Sequence, residues 1–190
     1  MNKHLHLIFA VALFTTIAVE AADSNEKTVF VTKASFKSNM GGLAGADAKC
    51  QAEADDPASI VPPGTYLPWL SDGQDSPDTR FTKSSHPYVR PDGAKIAENY
   101  TDLTDGSILN TISIDAAGQA VGHHQYWTGT YANGTSAKKT ETCATWGVDP
   151  PSYVYGMSGH TANKTASWSS YRAYPCSRGS SKYRLVCFQQ

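Results

Sequence analysis

The chain has 190 residues, of which 40% are hydrophobic and 17% charged, and its formal net charge is −1. That length suits a single domain able to bury roughly 70% of its unfolded surface, and no repeat, low-complexity tract or linker divides it. A membrane anchor is excluded on length: the one long apolar run, Leu5 to Val19, is interrupted by His6, Thr15 and Thr16 and falls short of the roughly 20 residues a spanning helix needs.

Lys3 and His4 precede that run, and Val19-Glu20-Ala21 places small residues at both positions a signal peptidase reads. Residues 1–21 are therefore expected to be a signal peptide cleaved after Ala21, with residues 22–190 as the mature domain, secreted, periplasmic or at the cell surface. Lys27 to Phe36 reads as a strand with Val29, Val31, Ala34 and Phe36 among its apolar positions, and Gly41-Gly42 breaks it. Leu43 to Asp56 reads as a helix with Leu43, Ala46, Cys50 and Ala54 on one face, ended by Pro57. Short strands and turns follow: a strand over Gly64 to Leu70, a hairpin over Tyr88 to Ile96 turning at Pro91-Asp92-Gly93, and a helical turn within Glu98 to Gly106. A second hairpin runs from Ile112 to Val121, turning near Gly118, and core strands cover Tyr126 to Thr130 and Tyr183 to Phe188. Asp149 to Ser170, rich in Gly, Ser, Pro and Tyr, reads as long loops.

The cysteines are Cys50, Cys143, Cys176 and Cys187, with no C-x-x-C pair, which argues against a structural zinc site. In an exported chain they imply two disulfides, and spacing leaves three connectivities open. Charge is unevenly placed. Residues 22–149 hold ten bases and sixteen acids, whereas residues 150–190 hold no acid and five bases: Lys164, Arg172, Arg178, Lys182 and Arg184. Folding either disperses these bases or gathers them into a face for an acidic partner.

Several runs together resemble a known family. Gly41-Gly42-Leu43-Ala44-Gly45-Ala46-Asp47-Ala48-Lys49-Cys50 resembles the first helix of endostatin-like domains, and Gly64-Thr65-Tyr66 with Trp69-Leu70-Ser71 resembles their next strand. Trp127-Thr128-Gly129 with Asn133-Gly134, then Cys143-Ala144-Thr145-Trp146, then Cys176 with Tyr183 to Cys187, resemble the central strand, third signature and closing strand. The whole is similar to bacterial endostatin-like domains, including leptospiral endostatin-like surface proteins, within the broader C-type-lectin-like fold. The resemblance implies an α+β domain with a curved, mainly antiparallel sheet, one or two flanking helices, and nested disulfides Cys50–Cys187 and Cys143–Cys176. It also implies adhesion to host extracellular-matrix or plasma proteins. The acidic calcium motifs of sugar-binding C-type lectins are missing: Tyr131 to Thr142 has only Glu141 as an acid, and Trp168-Ser169-Ser170 stands where a Trp-Asn-Asp would be. Calcium wants six to eight oxygens, several from carboxylates, so no metal or other cofactor is expected.

Catalytic patterns are thin. Ser136-Ala137-Lys138-Lys139 fits S-x-x-K, but its partner motifs Ser-Asp-Asn and Lys-Thr-Gly do not occur. His123 and His124 are adjacent, which on a strand sends them to opposite faces, so a surface or hydrogen-bonded role is expected. Asp102, Asp105 and Asp115 sit in turn-like settings and are expected to cap turns. The distinctive feature is aromatic: six of the ten tyrosines, with Trp127, Trp146 and Trp168, lie between residues 126 and 174. Tyrosine supplies rigid amphipathic contact area at low entropic cost. We therefore expect a binding module and not an enzyme, with Tyr153, Tyr155, Tyr171, Arg172, Tyr174 and Arg178 as contacts, while Tyr126, Trp127 and Trp146 belong to the core. The expected partner is a matrix or plasma protein or an anionic glycan, and no nucleic acid. A calcium-independent glycan-binding lectin is the alternative reading, and a hydrolase the third.

Overall fold

The computed structural model describes residues 25–147, 151, 153–176 and 181–190. The expected signal peptide and the candidate contact Arg178 lie outside the described residues. Within them the chain is α+β and its strands form two sheets. No helix among the described residues is long and apolar enough to cross a membrane.

Strand β1 (Lys27–Val31) has an unbroken apolar stretch because both its faces are covered. Val29 and Val31 enter one hydrophobic cluster with Trp69, Trp168 and Phe188, and Phe30 enters a second with Tyr66, Trp127 and Trp146. Side chains alternate across a strand, so one strand serves two cores. The last strand, β8 (Val186–Gln189), repeats the device: Val186 and Phe188 go to the first cluster, Cys187 to the second. β8 runs antiparallel to β1 and to β2 (Tyr66–Pro68). On its other side β1 pairs parallel with β3 (Tyr88–Val89), which pairs antiparallel with β4 (Lys95–Ala97), giving the order β2-β8-β1-β3-β4. The β3–β4 turn is the expected Pro91-Asp92-Gly93, closed by the Gly93 amide donating to the Arg90 carbonyl at 2.9 Å with Gly93 at φ 82°.

Helix α1 (Gly42–Ala54) buries Ala46 and Cys50, with Leu43 and Ala54 partly buried beside them. It ends two residues before the sequence expectation. The Asp55 amide still reaches the Gln51 carbonyl at 2.9 Å as the chain leaves the helix. The Glu53 carboxylate accepts amides from Lys33 and Ala34 at 2.6 and 2.9 Å, pinning the helix to the turn after β1. Two single-turn helices follow, α2 (Pro77–Arg80) and α3 (Tyr100–Leu103). Asp102, Asp105 and Asp115 each accept backbone amides: Glu98 at 2.7 Å, Ser107 at 2.9 Å, and both Ala117 and Gln119 at 3.0 and 2.8 Å. The expected Ile112–Val121 hairpin is reduced to one antiparallel bridge between Ile114 and Ala120.

The second sheet has the order β5-β6-β7, from β5 (Gln125–Trp127), β6 (Tyr155–His160) and β7 (Arg172–Pro175), all antiparallel. β6 corrects the sequence reading, which had loops from Asp149 to Ser170. A parallel bridge between Tyr126 and Arg184 joins this sheet to the segment leading into β8. The disulfides are Cys50–Cys187, tying α1 to β8, and Cys143–Cys176, tying the turn before residue 147 to the end of β7.

Candidate functional site

β6 is a strand because of what lies against it. A Cβ at Gly159 would stand 2.0 Å from the Trp168 carbonyl oxygen and 2.4 Å from the Tyr126 ring, and one at Gly156 would stand 2.4 Å from the Cys143 sulfur. Both glycines let β6 press against the core where a side chain would hold it off. The cost is a low strand propensity, which is why the segment reads as loop in the sequence.

This strand organises the candidate contacts. Five large hydrophobic side chains are exposed among the described residues, and three of them are here: Tyr153 at 77%, Tyr155 at 43% and Tyr171 at 40%. Arg172 is exposed, its guanidinium 5.5 Å from the centre of the Tyr171 ring. Tyr174 is half-buried. Its ring lies 5.2 Å from that of Tyr183, which in turn stacks 4.4 Å from Trp127, and its hydroxyl accepts from the Gln125 amide at 3.2 Å. Tyr126, Trp127 and Trp146 are fully buried, as expected of core positions. Burial drives the Tyr126 hydroxyl far above the ordinary phenol range, and it donates to the Trp168 carbonyl.

Register separates the candidates. Tyr155 faces Pro175 across the β6–β7 pair, while Arg172 faces Ser158 three positions away. Directly paired residues share a face and neighbours alternate, so Tyr155 and Arg172 project to opposite sides. Tyr153 and Tyr155 mark the start of β6, beside the Cys143–Cys176 bond. Tyr171 and Arg172 mark its end, where the structure adds three residues not taken as contacts from sequence. His160 closes β6, its ring 5.2 Å from Tyr171 and 6.3 Å from His123, with His124 adjacent. Burial first, then the two neighbouring histidines, holds His160 below the usual imidazole range. The signal in sequence was the His123-His124 pair, but nothing local announced that His160, 36 residues after His124, would meet it.

The basic tail is largely dispersed. Arg184 turns inward and donates to the Thr32 and Lys33 carbonyls at 2.5 and 2.6 Å, and the Lys164 ammonium points to the Leu109 carbonyl at 3.5 Å. Arg172 and Lys182 are exposed.

Two cavities lie elsewhere. One of about 270 Å³ is lined by Lys33, Glu53, Asp56, Ser59 and Asp115, and burial raises the Glu53 carboxyl above its ordinary range. The other, about 620 Å³, is lined by Lys83, Asn99, Tyr100, Asp102 and Asp105. Asp56 accepts the Ala58 amide at 2.8 Å, and the other carboxylates are engaged with the backbone amides described above. No group of three or more His, Cys, Asp or Glu side chains among the described residues is arranged to hold a metal ion. The Ser169 hydroxyl is taken up inside the core, accepting from the Trp69 indole at 2.6 Å and donating to the Thr130 carbonyl at 2.9 Å. Ser136 sits in a bridge to Thr130 and donates to the Ala137 carbonyl, not at the start of a helix as an S-x-x-K nucleophile requires.

No curated protein matches the chain. A family model described as "Protein of unknown function (DUF1554)" matches residues 33–165, a span that contains α1, β5, β6 and His123, His124 and His160 but stops before Tyr171. That span is well over half of the sequence, and the chain belongs to the DUF1554 family.

Proposed function

We propose that this protein is an exported binding module of the endostatin-like, C-type-lectin-like class, which docks on an extracellular macromolecule through the surface around β6 and β7. The partner we favour is a matrix or plasma protein. The observation that carries this reading is that three exposed tyrosines gather at the two ends of β6, next to the Cys143–Cys176 disulfide, with Arg172 exposed beside Tyr171. Tyrosine and arginine dominate binding hot spots because each joins a large contact area to directed hydrogen bonds. The brace matters because a contact surface held rigid loses less entropy on docking. The order of signature runs around the four cysteines supports the family assignment, and the charge-poor, hydroxyl-rich surroundings of Trp168 favour binding without calcium.

The test is a binding panel of immobilised matrix and plasma proteins, with a glycan array beside it. Tyr153→Ala with Tyr155→Ala, and separately Tyr171→Ala, should each weaken capture by about tenfold or more. Normal capture by both variants would overturn the docking surface. Capture confined to the glycan array would replace the protein partner by a carbohydrate.

A further inference from the structure

His160 stands where three segments meet, and the ionisable groups that act on it are two further histidines. The segment before β5 brings His123 and His124, the start of β7 brings Tyr171 and Arg172, and β5 presents the neutral Gln125 opposite it. The turn after β6 contributes the Ala162 amide, which donates to His160 Nδ1 at 3.1 Å. Lys164, the next cation along the chain, points to the Leu109 carbonyl instead. No carboxylate is among the groups that act on His160, and no described ion pair includes Arg172. Residues 150–190 contain no acid that could supply one. His123, His124, Tyr171 and Arg172 are all exposed, and His160 is half-buried.

We propose that His123, His124, His160, Tyr171 and Arg172 form a proton-gated site for an acidic peptide segment, weak at neutral pH and strong in mildly acidic solution. This rests on the reading that the β6–β7 surface docks a protein, and it names the chemistry of the part that docks. An arginine side chain is a permanent cation. Imidazoles take up protons between pH 8 and 5, and a proton added at His160 meets no balancing carboxylate among the described groups that act on it. The free protein resists that uptake at His160, because burial and the neighbouring histidines oppose the charge and the Ala162 amide occupies the Nδ1 lone pair. An aspartate or glutamate side chain placed against the cluster supplies the missing counter-charge. Linkage is reciprocal, so protons tighten the peptide as much as the peptide tightens the protons. Tyr171, between His160 and Arg172, gives the peptide backbone an aromatic surface to lie on.

The experiment is fluorescence anisotropy of a labelled oligoaspartate peptide with the full chain, at pH 5.5 and 7.5 in low salt, with circular dichroism as the folding control. Aspartate is ionised at both values. Binding should be at least about tenfold tighter at pH 5.5. His123→Gln with His160→Gln should reduce that ratio to under about twofold, Arg172→Ala should weaken binding at pH 5.5, and Lys164→Gln should preserve the ratio. In an NMR titration, saturating peptide should move the His160 midpoint upward. No binding at pH 5.5, equal affinity at both values, or an undiminished ratio in the double histidine variant would overturn the proposal. So would a pH ratio shown by heparin and not by oligoaspartate, which would mark the site as one for sulfated glycans. The two readings fail separately. Matrix-protein capture that survives the tyrosine variants sinks the docking surface without touching the oligoaspartate ratio, and a flat ratio sinks the histidine site while tyrosine-dependent capture stands.

Discussion

Gly159 occupies a position where no side chain fits. Its would-be Cβ meets a backbone carbonyl, that of Trp168, which cannot swing aside as a flexible side chain would. Gly159→Ala should therefore lower the free energy of unfolding by about 2 kcal/mol or more, measured by denaturant titration. It should also blunt ligand capture, because β6 carries both ends of the proposed surface. A second single-residue effect concerns acid. His160 is held below its ordinary value in the native state, so between the two values the unfolded chain binds the extra proton. Stability from keeping this ring neutral is full above about pH 6.5 and is lost as pH falls through the native value. His160→Gln should flatten the acid limb of the stability–pH profile in that window, and an unchanged slope would show that His160 does not contribute to it.

At the level of elements, the turn that holds Cys143 is conformationally the most unusual part of the chain. Cys143, Ala144, Thr145 and Trp146 take φ of 47°, 51°, 66° and 63°, four consecutive left-handed residues without a glycine. Side chains other than glycine's cost about 1–2 kcal/mol there, and a β-branched one is the worst placed. Tertiary contacts hold the turn: the disulfide at one end and, at the other, the Trp146 indole donating to the Ser71 carbonyl at 2.7 Å. The Trp146 carbonyl also accepts the Met40 and Gly41 amides at 2.8 and 3.1 Å, which sets the entry into α1. Thr145 is exposed and makes little use of its side chain. Thr145→Gly should raise the melting temperature, with a gain of about 1 kcal/mol, whereas Trp146→Ala should cost about 3–5 kcal/mol.

At the scale of the molecule, the two disulfides divide the work. Cys50–Cys187 closes a separation of 137 residues and joins α1 to β8, the strand that serves both cores. Cys143–Cys176 spans 33 and anchors the end of β7. On the chain-entropy account, loops of these lengths contribute about 5 and about 4 kcal/mol, less together than their sum because one loop lies within the other. Cys50→Ser with Cys187→Ser should reduce stability by about 2–5 kcal/mol. Cys143→Ser with Cys176→Ser should loosen the second sheet first, seen as earlier hydrogen exchange in β6 and β7 than in β1 and β8. Ligand capture by the intact protein should persist in EDTA, since the serine at 169 is committed to Trp69 and Thr130. Loss of capture restored by calcium would show a site of another kind.

The sequence by itself determined the features that rest on local pattern. Apolar spacing from Leu43 to Ala54 marked α1, Val29 and Val31 marked β1, though the expected strand ran on to Phe36 and the observed one ends at Val31, Leu185-Val186-Cys187 marked β8, Pro91-Asp92-Gly93 marked its turn, and isolated aspartates marked the amides they cap. These are decided within a few residues of chain, by side-chain periodicity and by short hydrogen bonds from side chain to backbone. Only the tertiary structure decided the rest. β6 carries two glycines, a serine and a methionine and has little strand propensity to read; it is a strand because Tyr126, Trp168 and the Cys143 sulfur leave room for nothing thicker. Spacing left three disulfide pairings open, and the positions of α1, β7 and β8 select among them. Tyr171 and Tyr174 are three residues apart in similar sequence, yet one is exposed and the other packs on Tyr183, because that choice belongs to a residue brought in from outside the strand. The meeting of His123, His160 and Tyr171 has the same origin: their separation in the chain carries no information about distance until β5, β6 and β7 pair.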